Sequence, residues 1–386
     1  MRVLLTIHHE LDPDSGAPGA TFRLGEEYRS QGHDVEVLDF RRLLPRRLPE
    51  QAKMVAFPWA VSAWLARRGR RSRFDVIDAS TGDTWIFEAL RRAFPVGARR
   101  ALVVVRSHGL EHTMTDRRRS EAKAEGESLS WKYSTYHAGF RLWEVAHSLL
   151  AADVALFLND YDRTVAIDHL SVLPERARVV RNGISKALIG LPEPKPSGAV
   201  RRIAVIGSYI ARKGVDDAAT ALNAWLPLHP DWAVTFLGTG VPVQRVLDDY
   251  RPDLRNRISV VPRYANAGLQ QLLDGHQIHL FATLSEGAPV SLLEAMACGL
   301  APIASAVPGV VEAARDGYNA LLVPPAEPEA IKMALDRLAG DGSLLERLRF
   351  NAHLTAQSYG WGEIAGEQLA IYEEQSQSRG DAQGVG

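Results

Sequence analysis

Two carboxylates seven residues apart bracket a loop of small residues in Leu284–Gly299, LSEGAPVSLLEAMACG. The apolar run before it, Gln277–Ala282 (QIHLFA), reads as a buried strand. The pattern after it opens a helix from Val290 to Ala297 that stops at Gly299. A strand, a small-residue loop and a helix N-terminus together make an anion site, because backbone N–H groups and the positive end of the helix dipole meet at the loop. Gly287 and Ala288 let a phosphate approach the backbone, and Pro289 gives up no needed donor before the first turn. Glu286 can face one side of such a phosphate and Glu294 the other. A carboxylate accepts two hydroxyls at once, which suits the vicinal diol of a sugar or ribose.

A plainer reading stands beside this one. Ser291 and Glu294 also fit the capping-box spacing, in which both side chains only cap the helix, and Glu286 is then an ordinary loop carboxylate.

The stretch EGAPVSLLEAMACG resembles the E-x7-E signature of glycosyltransferase family 4, the retaining, group 1 type enzymes of the GT-B fold. The likeness continues in order through Ala301–Ser305 (APIAS), Val307–Gly309 (VPG), Asp316–Asn319 (DGYN) and Leu321–Pro325 (LLVPP). By that resemblance Glu294 binds the ribose of a nucleotide sugar, Glu286 lies near the transferred sugar, and the loop of Gly287, Ala288, Pro289, Val290 and Ser291 holds the diphosphate. The resemblance implies an α/β chain of two Rossmann-like, doubly wound parallel-sheet domains facing across a cleft.

The elements that must position these groups can be read along the chain. Val3–Ile7 is a short strand, a loop containing GAPGA follows, then a helix from about Thr21 to Gln31 and the strand Asp34–Phe40. Gly16 and Gly19 lack the third glycine of a dinucleotide fingerprint, but Gly19 at a helix start would let a phosphate or sugar come close. Further strands are expected at Phe74–Ala79, Ala101–Arg106, Val154–Leu158 and Val179–Val180, with a helix over Thr84–Phe94. After the linker Leu191–Gly198 (LPEPKPSG) the pattern restarts at Arg202–Ile206. Residues 1–190 are expected as an acceptor-side domain and 198–358 as a donor-binding domain. A helix at about 359–376 is expected to pack back on the first, with 377–386 as a disordered tail.

Two further places carry candidates. His108 follows the strand Ala101–Arg106, and in open parallel sheets ligands bind outside the C-terminal strand ends. The resemblance gives His108 a role at the donor sugar. A metal site from His108, Glu111 and His112 has poor spacing and no further ligand. Gly207–Gly214 (GSYIARKG) opens the second domain, where the family clamps the diphosphate with an arginine and a lysine. Lys213 matches the lysine; the arginine position holds Ser208, and Arg212 stands beside the lysine instead.

Composition bounds the rest. A chain of 386 residues with a single cysteine, Cys298, excludes a disulfide framework and fits a reducing compartment. Cys298 reads as a core residue. No apolar run reaches membrane-spanning length, the N-terminus reads as a strand, and a cytoplasmic location follows as the expectation. The net charge of −1 hides an excess from Arg41 to Arg73, where ten basic residues face one acid, Glu50. With Phe57, Trp59 and Trp64 alongside, this is either a helix with a solvated basic end or a patch meeting anionic membrane through residues 41–73.

The function expected is retaining transfer of a sugar from a nucleotide-diphosphate sugar to an acceptor hydroxyl on a glycan, lipid-linked sugar or small molecule. No cofactor, metal or nucleic-acid partner is expected. Lys213, Arg212 and the helix amides would stabilise the leaving diphosphate. The varied segment Thr115–Ser148 would shape the acceptor side. A nucleotide-sugar epimerase or phosphorylase of the same fold, or a non-catalytic nucleotide-sugar-binding protein, are the alternatives; the Ser208 departure favours the last.

Overall fold

The computed structural model describes all residues except 14, 69–72, 95–97, 99, 125–127, 132, 195–200 and 385–386. Residues 195–198 of the expected linker, and Arg70 and Arg71 of the basic stretch, therefore lie outside the described residues. The chain divides into two compact units, one of Met1–Asn182 with Trp361–Gly386 and one of Gly183–Gly360.

The first unit is built on six parallel strands: β1 (Arg2–Thr6), β2 (Asp34–Leu38), β3 (Val76–Ser80), β4 (Leu102–Arg106), β5 (Val154–Phe157) and β6 (Ala177–Val179). Their spatial order is β2-β1-β3-β4-β5-β6. β3, β4 and β5 are buried along their whole length, which is why β4 and β5 read as apolar runs rather than alternating ones, while β3 carries a buried Asp78. One face packs on the helix Glu50–Arg68 through Phe57, Val61 and Leu65. The other packs on Ala17–Ser30 and on the returning C-terminal helix through Trp361, Ile364, Leu369 and Tyr372.

That return is locked by a buried polar network. Asp78 on β3 and Arg106 on β4, 2% and 4% exposed, form an ion pair. Tyr372 donates to Asp78 Oδ2 at 2.5 Å, Arg106 to Gln368 Oε1 at 2.9 Å, and Tyr28 to the same Gln368 oxygen at 2.5 Å. The helix does not end near residue 376 as expected; it runs from Trp361 to Gly384. Arg379 explains part of the extension, since it bonds Asp153 Oδ2 at 2.7 Å and the Ala101 carbonyl at 3.1 Å, tying the polar segment to the sheet edge.

The second unit repeats the architecture with β7 (Arg201–Ile206), β8 (Trp232–Leu237), β9 (Ile258–Val261), β10 (Ile278–Phe281), β11 (Ala301–Ser305) and β12 (Leu321–Val323). Their order is β12-β11-β10-β7-β8-β9, again all parallel. Residues 183–190 belong to this unit. Ile184 N–H donates to the Tyr359 carbonyl at 2.8 Å, Gly190 N–H to Gln357 Oε1 at 2.6 Å, and Leu188 is buried in its core.

Several local expectations shift. The first helix starts at Ala17, four residues early, because Pro18 suits a first turn. The helix expected over Thr84–Phe94 is a short one, Trp85–Ala89, followed by a single turn at Arg91–Ala93. Four of the ten basic residues in the stretch are committed to ion pairs: Arg41 and Lys53 meet Glu10, and Arg42 and Arg68 meet Glu36. Phe57 is buried and Trp64 packs on Phe74, leaving Trp59 as the one exposed aromatic of the three.

Asp78→Ala should strand Arg106 in the core and destabilise the protein by about 3–5 kcal/mol. A lowered urea midpoint checks this, with Asp78→Asn, which keeps an acceptor, expected to lose less.

Candidate active site

In each sheet the strand order reverses at one point, and there a crevice opens beyond the C-terminal strand ends. In the second unit β7 runs to β8 and β9 on one side while β10 joins on the other, so the reversal lies between β7 and β10. The loops leaving these two strands are Gly207–Gly214 and Ala282–Pro289. The expected diphosphate groups are therefore brought together by topology.

The contact between the loops is close. Gly214 has φ +65°, and a Cβ there would lie 1.9 Å from the Ala282 carbonyl oxygen. Only glycine permits that approach. Lys213 is thereby carried to Glu286, its Nζ donating to Oε2 at 2.5 Å with both side chains mostly buried. The ammonium also lies 5.3 Å from the Phe281 ring centroid. Gly309 supports the far side of the loop. Its N–H donates to the Glu286 carbonyl at 3.2 Å, and a Cβ would meet the carbonyl oxygens of Glu286 and Gly287 at 2.5 and 2.7 Å.

The helix spans Val290–Ala297 as expected, with Pro289 at its cap and no side chain capping it. The capping-box reading fails on this geometry. Ser291 does not cap, and the Glu294 carboxylate, 5% exposed, accepts from Asn266 Nδ2 at 3.0 Å. Asn266, on the segment after β9, was not found from the sequence; an asparagine in a polar loop carries no signal until the fold sets it against Glu294.

Arg212 is placed differently from its neighbour. Its guanidinium donates to the Ser285 carbonyl at 2.9 Å, and its own carbonyl accepts from Leu284 N–H at 2.9 Å. It braces the loop. Ser208 is exposed. Cys298 follows the helix, and burial, then Glu294, push its thiol up to about 12, which suits an inert residue.

In the first unit the reversal lies between β1 and β3. His108, one strand further at the end of β4, is partly exposed, yet its Nδ1 is buried without a partner. Ser80 Oγ donates to the Thr6 carbonyl at 3.1 Å, so His108 Nε2–H donates to Ser80 Oγ at 3.2 Å and Nδ1 carries the lone pair. Burial, then Arg106, lowers its pKa to about 3, so it stays neutral at physiological pH. Beside it, His8 Nδ1 donates to Asp83 Oδ1 at 2.7 Å and Thr6 Oγ1 to Asp83 Oδ2 at 2.7 Å. Arg141 bonds the Thr81 carbonyl at 2.9 Å, Glu111 Oε1 at 3.0 Å and His8 Nε2 at 3.3 Å. Its guanidinium occupies the space a side chain at Gly82, φ +81°, would need. Arg141 closes a π-helical segment, Tyr133–Arg141. His8 and Asp83 could have been found as polar residues just past buried strands; Arg141 could not. Glu111 is committed to Arg141 and Thr81, and no group of three metal-ligating side chains occurs among the described residues.

Gly19 lies inside the first helix, buried, with the Pro13 carbonyl 2.9 Å from where its Cβ would be. It keeps the preceding loop close to the helix.

The two units match two models of one family. Residues 15–188 match the model described as Glycosyltransferase Family 4, and residues 200–341 the model described as Glycosyl transferases group 1. The chain belongs to the family 4, group 1 glycosyltransferases. Among its relatives are an exopolysaccharide phosphotransferase of Streptomyces coelicolor, 32% identical over 50% of this chain and 22% of that protein. Another is a D-inositol 3-phosphate glycosyltransferase of Jonesia denitrificans, 26% identical over 52% of this chain and 52% of that protein. The chain thus spans less than two thirds of either. Among solved structures, a sucrose-phosphate synthase from Thermosynechococcus elongatus superposes with a TM-score of 0.77 at 19% identity, covering 97% of this chain and 98% of that one. HepE from Anabaena, solved with UDP-glucose, gives 0.67 at 15%, covering 96% and 100%. At these identities the likeness shows the fold, which is GT-B. In this family member the E-x7-E pair is Glu286 and Glu294, each held by a partner from another loop.

Gly214→Ala should destabilise more than Gly309→Ala, for which overpacking predicts about 1–3 kcal/mol. Urea denaturation checks the order, with Gly340→Ala, which meets nothing within 4 Å, as the neutral control.

Proposed function

We propose that the protein is a retaining glycosyltransferase that moves a sugar from a nucleoside-diphosphate sugar to an acceptor hydroxyl, with the donor held by the second unit and the acceptor by the first. The observation that carries this is the convergence of Lys213, Glu286 and the helix starting at Val290 on one strand-order reversal, with Glu294 anchored by Asn266 beside them.

The chemistry follows from charge. As the glycosidic C–O bond breaks, negative charge grows on the diphosphate. Lys213 and the amides of the helix's first turn are the fixed positive groups that favour it. Before the donor binds, Lys213 is neutralised by Glu286; the diphosphate competes for the ammonium and leaves Glu286 to accept sugar hydroxyls. Glu294, held by Asn266, accepts the ribose diol. The departing phosphate oxygen takes the acceptor's proton as the new C–O bond forms on the same face. His108, being neutral with its Nε2–H given to Ser80, offers a sugar hydroxyl only the Nδ1 lone pair and no proton. These groups require no metal for charge stabilisation. Acceptor classes remain those of glycans, lipid-linked sugars and small hydroxylated molecules.

Peripheral membrane contact through residues 41–73 rests on Trp59 and on the arginines outside the ion pairs. No helix of the described residues is long and apolar enough to cross a membrane. Flotation with vesicles that contain or lack anionic lipid tests the contact.

A non-catalytic binding protein is the second reading, favoured by Ser208 at the arginine position. Thermal stabilisation by a panel of nucleoside diphosphates tests the site first. A ligand at about 100 times its Kd adds about 2.7 kcal/mol, and Glu294→Ala should abolish the shift. Acceptor-dependent release of the diphosphate then separates the two readings. Lys213→Ala should slow it about 100-fold; nucleotide binding with no turnover of any donor would sink the transferase.

A further inference from the structure

Four arginines line one depression of about 850 Å³ in the first unit: Arg91, Arg92, Arg100 and Arg379, with Glu88 in its wall. The place is the N-terminal edge of the sheet. Arg91 and Arg379 both bond the carbonyl of Ala101, just before β4, at 2.5 and 3.1 Å. His108 lies beyond the other end of the same strand. At about 3.3 Å per residue the two places are roughly 20 Å apart, so the depression is no part of the site described above.

Its charge is unbalanced. Arg91 and Arg379 share one oxygen of one carboxylate, Asp153 Oδ2, at 3.0 and 2.7 Å. Arg92 and Arg100 are exposed, and neither has a carboxylate partner among the described residues. Glu88 adds a second signal. It is 8% exposed; Oε1 accepts from Thr84 Oγ1 at 2.8 Å, and Oε2 is buried with no partner. Burial pushes its pKa up to about 8 against the opposing pull of Thr84 and Arg91, with Asp153 adding to the rise. At neutral pH Glu88 is therefore protonated, and Oε2–H lacks an acceptor. Guanidinium forks and a neutral O–H donor together match the oxygens of a phosphate.

We propose that this depression binds an anionic phosphate group, held by Arg92 and Arg100 at its rim and by Arg91, Arg379 and Glu88 at its wall. Two sources present that chemistry, the headgroup of an anionic phospholipid and a soluble phosphate ester. In either case affinity falls as pH rises past about 8, where Glu88 gains a negative charge facing Arg91, Arg379 and Asp153.

The test uses the full chain and two probes, inorganic tripolyphosphate by calorimetry and phosphatidylcholine vesicles with or without phosphatidylglycerol by flotation. Arg92→Glu/Arg100→Glu changes only exposed side chains and should weaken binding about tenfold or more. Lys213→Ala should remove only the share of tripolyphosphate bound at the donor loop and leave the share lost in Arg92→Glu/Arg100→Glu, which separates the two sites. Glu88→Gln should fold and remove the loss of affinity above pH 8. Flotation with phosphatidylglycerol points to lipid; tripolyphosphate binding without flotation points to a soluble ester. Binding of neither probe, or binding unchanged in Arg92→Glu/Arg100→Glu, overturns the proposal.

Discussion

The second unit's chemistry depends on one close contact, the backbone of Gly214 against the carbonyl of Ala282. With a Cβ at Gly214 the turn after β7 could not lie on the end of β10. Lys213 would then not reach Glu286, and Arg212 would not brace Ser285. Gly309 makes the matching approach from the other side, against the carbonyls of Glu286 and Gly287. The loop that carries Glu286 is thus held between two glycines that allow backbone to touch backbone. Such contacts position a small loop better than side chains do, because they leave few rotatable bonds between the scaffold and the reacting group.

The first unit is organised by buried charge. Asp78 and Arg106 sit in the middle of a parallel sheet, where each alone would be costly. Their hydrogen bonds extend to Tyr372 and Gln368 of the C-terminal helix and to Tyr28 of the first helix. The network therefore selects where the returning helix docks, which an apolar surface alone would leave loose. It also reaches the candidate site: Arg106 is one of the groups that keep His108 neutral. A second buried cation, Arg141, is satisfied by Glu111, the Thr81 carbonyl and His8. Polar satisfaction rather than apolar packing sets the geometry at this end of the sheet.

The departures from the family pattern are as informative as the matches. Ser208 stands where the family has an arginine, and Arg212 spends its guanidinium on a loop carbonyl. Lys213 is then the cation nearest Glu286. Basic residues elsewhere divide in two groups. Four in the stretch from Arg41 to Arg73 pair with Glu10 and Glu36, and the others described there do not. Those around Glu88 share Asp153 and leave a net positive depression. Sequence runs of arginine alone do not distinguish these cases.

What the sequence by itself determined is local or periodic. Strand runs such as Leu102–Arg106 and Ile278–Phe281, the helix Val290–Ala297, and the E-x7-E spacing are legible because burial and helical phase act over a few neighbouring residues. The family followed from the same stretch. The sequence left Ser291 and Glu294 open between capping and binding. The tertiary structure removes the capping reading, because Ser291 caps nothing and the Glu294 carboxylate accepts from Asn266, 28 residues away and on another strand's loop. It likewise decided His8, Asp83 and Arg141, which meet only when β1, β3 and the π-helical segment fold together. The C-terminal extent was missed for the same reason. A polar tail reads as disordered until Arg379 finds Asp153, 226 residues away, and no local pattern encodes a partner at that distance.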